Sequence, residues 1–126
     1  MGIGLAGWNG VMEKQLPCRG DIWVAYLDPV EGHEQSGRRP CLVLSEDVFN
    51  HGPSELVVVL PLTSKKHDIP LRIAIEPPEG ETKRNSYIMP EMIRSISSAR
   101  LLEYWGKIDG NTMRRVEEHV RILLGL

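Results

Sequence analysis

The chain has 126 residues, enough for one domain with a real core, and its 41% hydrophobic and 25% charged residues are ordinary for a globular fold. A net charge of −2 argues against non-specific coating of nucleic acid but leaves room for a local basic site. No apolar run reaches the length of a membrane span. The N-terminus lacks the basic start and apolar stretch of a secretory signal, so a cytoplasmic location is expected, with Cys18 and Cys41 as reduced thiols. Without a C-x-x-C or H-x-x-x-H pattern, no metal site is expected.

Residues 1–16 are Gly-rich with a lone Trp8 and read as a flexible extension, and residues 17–126 as the folded domain. Bulky and β-branched residues from Ile22 to Leu27 predict a strand that Asp28-Pro29 ends. The loop from Gly32 concentrates His33, Glu34, Gln35, Arg38 and Arg39. Pro40 joins it to an apolar strand over Cys41–Leu44. Asn50-His51-Gly52-Pro53 is turn punctuation, with a short helical turn around Val48 and Phe49. Leu56 to Leu60 predicts a strand buried on both faces, and Pro61 an interruption of its ladder.

Leu71 to Glu76 alternates as a half-exposed strand. Ser86 to Ile96 reads as one long strand carrying Pro90 and Glu91 in its middle. Ser97 caps a single helical turn, and Tyr104 to Ile108 is a last short strand. Thr112 to Leu124 places Met113, Val116, Val120 and Leu123 on one helical face, with Glu117 and Arg121 paired at i,i+4 on the other side and Gly125 as the stop. Short strands at regular spacing, closed by one helix, predict a mainly β protein built as a small barrel or a strongly curved sheet.

Four polar sites interrupt these strands or their ends: His33 to Gln35, Arg38 with Arg39, Thr63 with Ser64, and Glu91 with Arg94. Each has a plain reading, as a solvated loop, a salt-bridge partner or a good strand residue. If the strand ends converge, the same residues suit phosphoryl chemistry. Arginine grips phosphate through two hydrogen bonds, histidine titrates near neutrality, and glutamate can serve as a base. No second carboxylate clusters with Glu91 in sequence, which speaks against a two-metal nuclease.

From Arg19 to the C-terminus the chain resembles the PemK/Kid and MazF family of toxin endoribonucleases. The likeness rests on Arg19-Gly20-Asp21-Ile22-Trp23, Leu27-Asp28-Pro29, Gly32-His33-Glu34-Gln35, Gly37-Arg38-Arg39-Pro40, Pro61-Leu62-Thr63-Ser64 and Ile93-Arg94-Ser95-Ile96. The resemblance implies an SH3-like barrel of the CcdB/Kid/MazF type with a C-terminal helix, over residues 17–126. It implies a homodimer and a cognate antitoxin. It also implies metal-independent, cofactor-free cleavage of single-stranded RNA to 2′,3′-cyclic phosphate and 5′-hydroxyl ends. By the same resemblance Arg39, Glu91, His33 and Thr63 are the catalytic set, with Glu91 as base. The arginine is sometimes cast as the acid in this family, but its pKa above about 12 gives that role to His33, or to Arg39 only if its site lowers that pKa greatly. Glu34, Gln35, Arg38, Ser64 and Lys65 are the RNA contacts. DNA binding by the toxin alone is not expected.

Three positions depart from the family pattern. Met92 stands where Gln is usual, Ser95 where Thr is common, and Pro90 precedes the acidic residue. Two rival readings share the fold. One is a non-catalytic toxin that poisons DNA gyrase, which has no need of Arg39, Thr63 and His33. The other is an inactive module that binds RNA or antitoxin, which Met92 would fit.

Overall fold

The strand signals take shape in the computed structural model, which describes residues 15–28, 32 and 37–126. The motif residues His33 to Gln35 lie outside the described residues. Seven strands form one antiparallel sheet: β1 (Asp21–Tyr26), β2 (Arg38–Val43), β3 (Leu56–Thr63), β4 (Ile73–Ile75), β5 (Ser86–Ile88), β6 (Arg94–Ser97) and β7 (Leu101–Lys107). The sheet runs β4-β5-β3-β2-β1-β7, with β6 also on β3, and curls into a half-barrel. Helix α1 (Asp47–Asn50) is a single turn between β2 and β3, and α2 (Gly110–Leu124) closes the chain. This is the mainly β architecture with one C-terminal helix that the sequence predicts. Among the described residues no helix is long and apolar enough to cross a membrane.

The central strands are buried on both faces because alternate side chains feed two cores. Ile22, Leu42, Leu60 and Leu62 point into one, which α2 covers with Val116 and Val120. Trp23, Cys41, Val43, Val57 and Val59 point into the other. Burying an isoleucine or leucine side chain is worth about 1.5–3 kcal/mol, so these three strands anchor the molecule.

Pro61 does not end β3. The strand runs on to Thr63, but its outer partner changes beside the proline. β6 pairs with Leu56 to Val59, and β5 pairs with Leu62 and Thr63. A residue with no N–H to give thus falls where one ladder stops and the next begins. Its carbonyl still accepts from Met89 N at 3.0 Å.

Pro90 also corrects the single strand expected over Ser86 to Ile96. A 3-10 turn over Pro90–Met92 splits it into β5 and β6. The fixed φ of proline suits the first position of such a turn, and its missing donor does not suit a ladder. Two further expectations change. Only Ile73–Ile75 of the predicted Leu71 to Glu76 strand pairs, after a positive φ at Leu71. β7 begins at Leu101 rather than Tyr104, directly after the turn that Ser97 caps through Ala99 N.

Helix α2 is capped by Asp109, whose Oδ1 accepts from Thr112 N at 2.9 Å, and ends at Gly125 in the left-handed region. Glu117 pairs with Arg19 rather than with Arg121, at 2.5 Å. Arg19 also donates to Leu44 O, which ties the helix to the start of the sheet. Beside it the buried Asp21 is fully engaged. It takes Cys18 N at 2.8 Å, Trp23 Nε1 at 3.1 Å and Lys107 Nζ at 2.8 Å.

The 3-10 turn Glu79–Glu81 packs on β1 and β7 through Gly80, which has φ +63°. A Cβ there would lie 2.8 Å from Cγ1 of the fully buried Ile22. Gly80→Ala is therefore expected to lower the unfolding free energy by about 1–3 kcal/mol, read as a lower denaturant midpoint at unchanged slope.

Candidate active site

Antiparallel pairing brings the first residues of β2 to the last residues of β3. Cys41 pairs with Pro61 and Val43 with Val59. Arg39 and Thr63 each lie two residues beyond that Cys41–Pro61 pair. On its other side Thr63 pairs with Tyr87 of β5. Around these ends lies a groove of about 250 Å³. Its walls are Arg38, Arg39 and Pro40 from β2, Leu62, Thr63 and Ser64 from β3, Lys83, Arg84 and Ser86 around β5, and Trp105 from β7.

Trp105 reaches the groove through a β-bulge. Ile22 pairs with Gly106 and Trp23 with Tyr104, so Trp105 has no partner on β1. An extra residue of this kind bends the strand and re-aims its side chain. Lys83 Nζ lies 5.0 Å from the indole centroid, a cation–π contact. The indole Nε1 is buried with no hydrogen-bond partner among the described residues.

Among the described residues that line it, four side chains are cations, Arg38, Arg39, Lys83 and Arg84, and none is a carboxylate. In a chain of net charge −2, that concentration makes the groove a local anion site. Guanidinium groups bind phosphate oxygens in a planar, two-point fashion. Thr63 is buried and its Oγ1 accepts from Lys65 N at 3.2 Å, which leaves its hydroxyl proton for another acceptor. Cys41 sits two residues past Arg39, but burial pushes its thiol up to about 12, so it is no thiolate nucleophile.

The groove thus unites four residues singled out from the sequence: Arg38, Arg39, Thr63 and Ser64. The described residues on either side of the stretch with His33, Glu34 and Gln35 are tied to each other. Leu27 N donates to Gly37 O at 2.9 Å, and Gly37 N to Asp28 Oδ1 at 3.0 Å. Lys65 is exposed and does not line the groove. Glu91 does not line it either. Its Oε2 accepts from Arg72 Nε at 2.8 Å and Arg72 Nη2 at 2.6 Å, in a pair whose side chains are 24% and 8% exposed. Met92 is half-buried in the same turn. Arg94 points elsewhere, with Nη1 donating to Leu27 O at 3.4 Å.

Lys83, Arg84, Ser86 and Trp105 were not expected at the site. The adjacent basic pair before a strand is visible in the sequence as a cue. The bulge that turns Trp105 is not.

The family model of PemK-like, MazF-like toxins of type II toxin–antitoxin systems matches residues 18–124. The chain belongs to this family. It is 35% identical over 109 residues to endoribonuclease EndoA of Bacillus subtilis (strain 168), an alignment that covers 86% of this chain and 94% of that protein. Its fold is similar to the crystal structure of MazF (form I) from Deinococcus radiodurans, with a TM-score of 0.78 and 26% identity, covering 90% of this chain and all (100%) of that one. It is also similar to a chain of the MazE–MazF structure (form II) from the same organism, with a TM-score of 0.74 and 26% identity over 90% of this chain and 99% of that one.

A PemK/MazF-like toxin with Glu91 held by Arg72 should lose stability when the pair is broken. Arg72 Nη1 and Glu91 Oε1 are buried without a partner among the described residues, so the pair has little in reserve. Glu91→Ala is expected to cost about 2–4 kcal/mol of unfolding free energy by leaving Arg72 uncompensated, with part of the loss recovered in the Arg72→Leu/Glu91→Leu double variant. Chemical denaturation reads both. A Glu91→Ala protein as stable as the parent would contradict the placement.

Proposed function

We propose that this chain is the toxin of a toxin–antitoxin pair and an endoribonuclease that cuts single-stranded RNA at short sequences. The observation that carries the reading is the groove that gathers Arg39 and Thr63 with three further cations, Arg38, Lys83 and Arg84. Membership of the toxin family and likeness to an endoribonuclease support it over a gyrase poison on the same fold, which needs no such groove.

The chemistry we propose is in-line attack of a ribose 2′-hydroxyl on the adjacent phosphorus. The 2′-O–P bond forms and the P–5′-O bond breaks, giving a 2′,3′-cyclic phosphate and a 5′-hydroxyl. The nucleophile belongs to the substrate, so the protein must hold the chain in line, stabilise charge and move two protons. Arg39 neutralises the phosphorane oxygens, and Thr63 donates its hydroxyl to one of them. Arg38, Lys83 and Arg84 hold flanking phosphates. A guanidinium is too weak an acid to protonate the leaving oxygen, so that step goes to His33. The base role falls to Glu34 instead of Glu91, whose carboxylate is committed to Arg72. No step calls for a metal.

An antitoxin follows from the toxin family and from the MazE–MazF assembly of the relative. An acidic, extended segment of such a partner would suit this groove, because it offers the cations what RNA offers them. Assembly as a homodimer and a cytoplasmic location belong to the same reading.

Two outcomes test the chemistry. An RNA oligonucleotide with a single 2′-deoxy residue 5′ to the cut should resist cleavage while remaining a competitive inhibitor. Glu34→Gln should lower kcat by at least about 100-fold, and Glu91→Gln by less than about tenfold once the folded fraction is equal. The reverse order would return the base role to Glu91, and cleavage of all-DNA strands would rule out the 2′-hydroxyl as nucleophile.

A further inference from the structure

Away from the groove, the structure gathers three side chains of different donor chemistry. Cys18 lies on the segment entering β1. Asp47 opens α1, and His51 follows four residues later on the same face of the turn. A donor atom from each, the thiol sulfur, a carboxylate oxygen and an imidazole nitrogen, lies within 4.8 Å of the others. Cys18 Sγ is 3.9 Å from His51 Nε2. None of the three lines the basic groove.

We propose that Cys18, Asp47 and His51 form a binding site for a divalent transition-metal ion of the zinc class. A sulfur–nitrogen–oxygen donor set favours such an ion over magnesium or calcium, which take oxygen ligands. Tetrahedral zinc with ordinary bond lengths sets a thiolate sulfur and an imidazole nitrogen about 3.5 Å apart, so the pair needs to close by only a few tenths of an ångström. Water takes the fourth position.

The surroundings orient the ligands. Asp47 Oδ1 accepts from Arg19 N at 2.7 Å and from Asn50 Nδ2 at 3.4 Å, which holds the carboxylate in place and leaves lone pairs for an ion. His51 Nε2 lies 2.7 Å from Pro17 O. Binding through Nε2 exchanges that hydrogen bond for a metal bond, and the thiol gives its proton to solvent. The neighbouring ammonium of Lys107 is turned to Asp21 and to Arg19 O, at 2.8 and 3.1 Å. An ion here would clip the chain entering β1 to the helix that leads into β3. It would act apart from the chemistry in the groove.

The test uses the full chain, stripped with chelator and titrated with Co²⁺, then with Zn²⁺. The expected result is a near-ultraviolet thiolate-to-cobalt charge-transfer band that saturates at one equivalent and is displaced by zinc, together with a zinc-dependent rise in the unfolding midpoint. Cys18→Ser should abolish the band. His51→Ala should weaken cobalt binding by at least about tenfold, and His67→Ala, at an exposed turn, should leave it unchanged. Melting of the metal-free variants checks that they fold, and His51→Ala keeps the test decisive if Cys18→Ser does not. A wild-type chain that gives no band, or a band that survives Cys18→Ser or is indifferent to His51→Ala, would overturn the site.

Discussion

The pairing of β2 with β3 is the constraint on which the rest of the molecule depends. Its register is held by Cys41 against Pro61 and Val43 against Val59, each fully buried or nearly so. A slip of one residue would exchange the two cores that these strands separate, and every buried side chain would face the wrong way. The cost of that exchange is what keeps Arg39 and Thr63 at one groove. The site inherits its precision from apolar packing two residues away and needs no polar contact of its own to define the register.

Everything else at the groove is brought to that pair. The change of partner beside Pro61 lets β5 approach the end of β3, and with it come Lys83, Arg84 and Ser86. The bulge in β7 adds Trp105. Arg19 and Glu117 lock α2 against the start of β1, over the first core. The acidic and basic charges are thereby separated. The carboxylates that matter structurally, Asp21, Glu91 and Glu117, are each matched to a cation, and the groove keeps its positive lining. That separation lets a chain of net charge −2 present an anion site.

Much of this was legible in the sequence, because the signals were strong and local. The β-branched run at Val57 to Val59, the spacing of Val116 and Val120, and the Arg-Pro and Leu-Thr-Ser junctions marked the central strands, the helix and four groove residues. What the sequence hid was long-range. Glu91 read as an unaccompanied acid in a strand, because its partner Arg72 lies on another segment, and Pro90 makes that stretch a turn. Glu117 and Arg121 had helical spacing, yet Arg19 outcompetes the weak i,i+4 pair by offering a partly buried guanidinium. The bulge at Trp105 follows from a mismatch between two strands, and neither strand shows it alone. The Cys18, Asp47 and His51 cluster was invisible for the same reason. Its thiol joins from a segment far from the Asp47–His51 pair, so no compact ligand motif exists to find.

The claim that Arg39 beside Thr63 forms a metal-independent phosphodiester centre is tested most directly by mapping RNA ends. Purified wild-type protein and its Arg39→Ala variant would be incubated with a long single-stranded RNA in excess EDTA, and the 5′ ends of the fragments identified. The account predicts discrete cuts bearing 5′-hydroxyls from the wild type, with a rate at least about 100-fold lower in a folded Arg39→Ala variant. Intact RNA from folded, antitoxin-free wild type, or cuts that persist at full rate without Arg39, would contradict it.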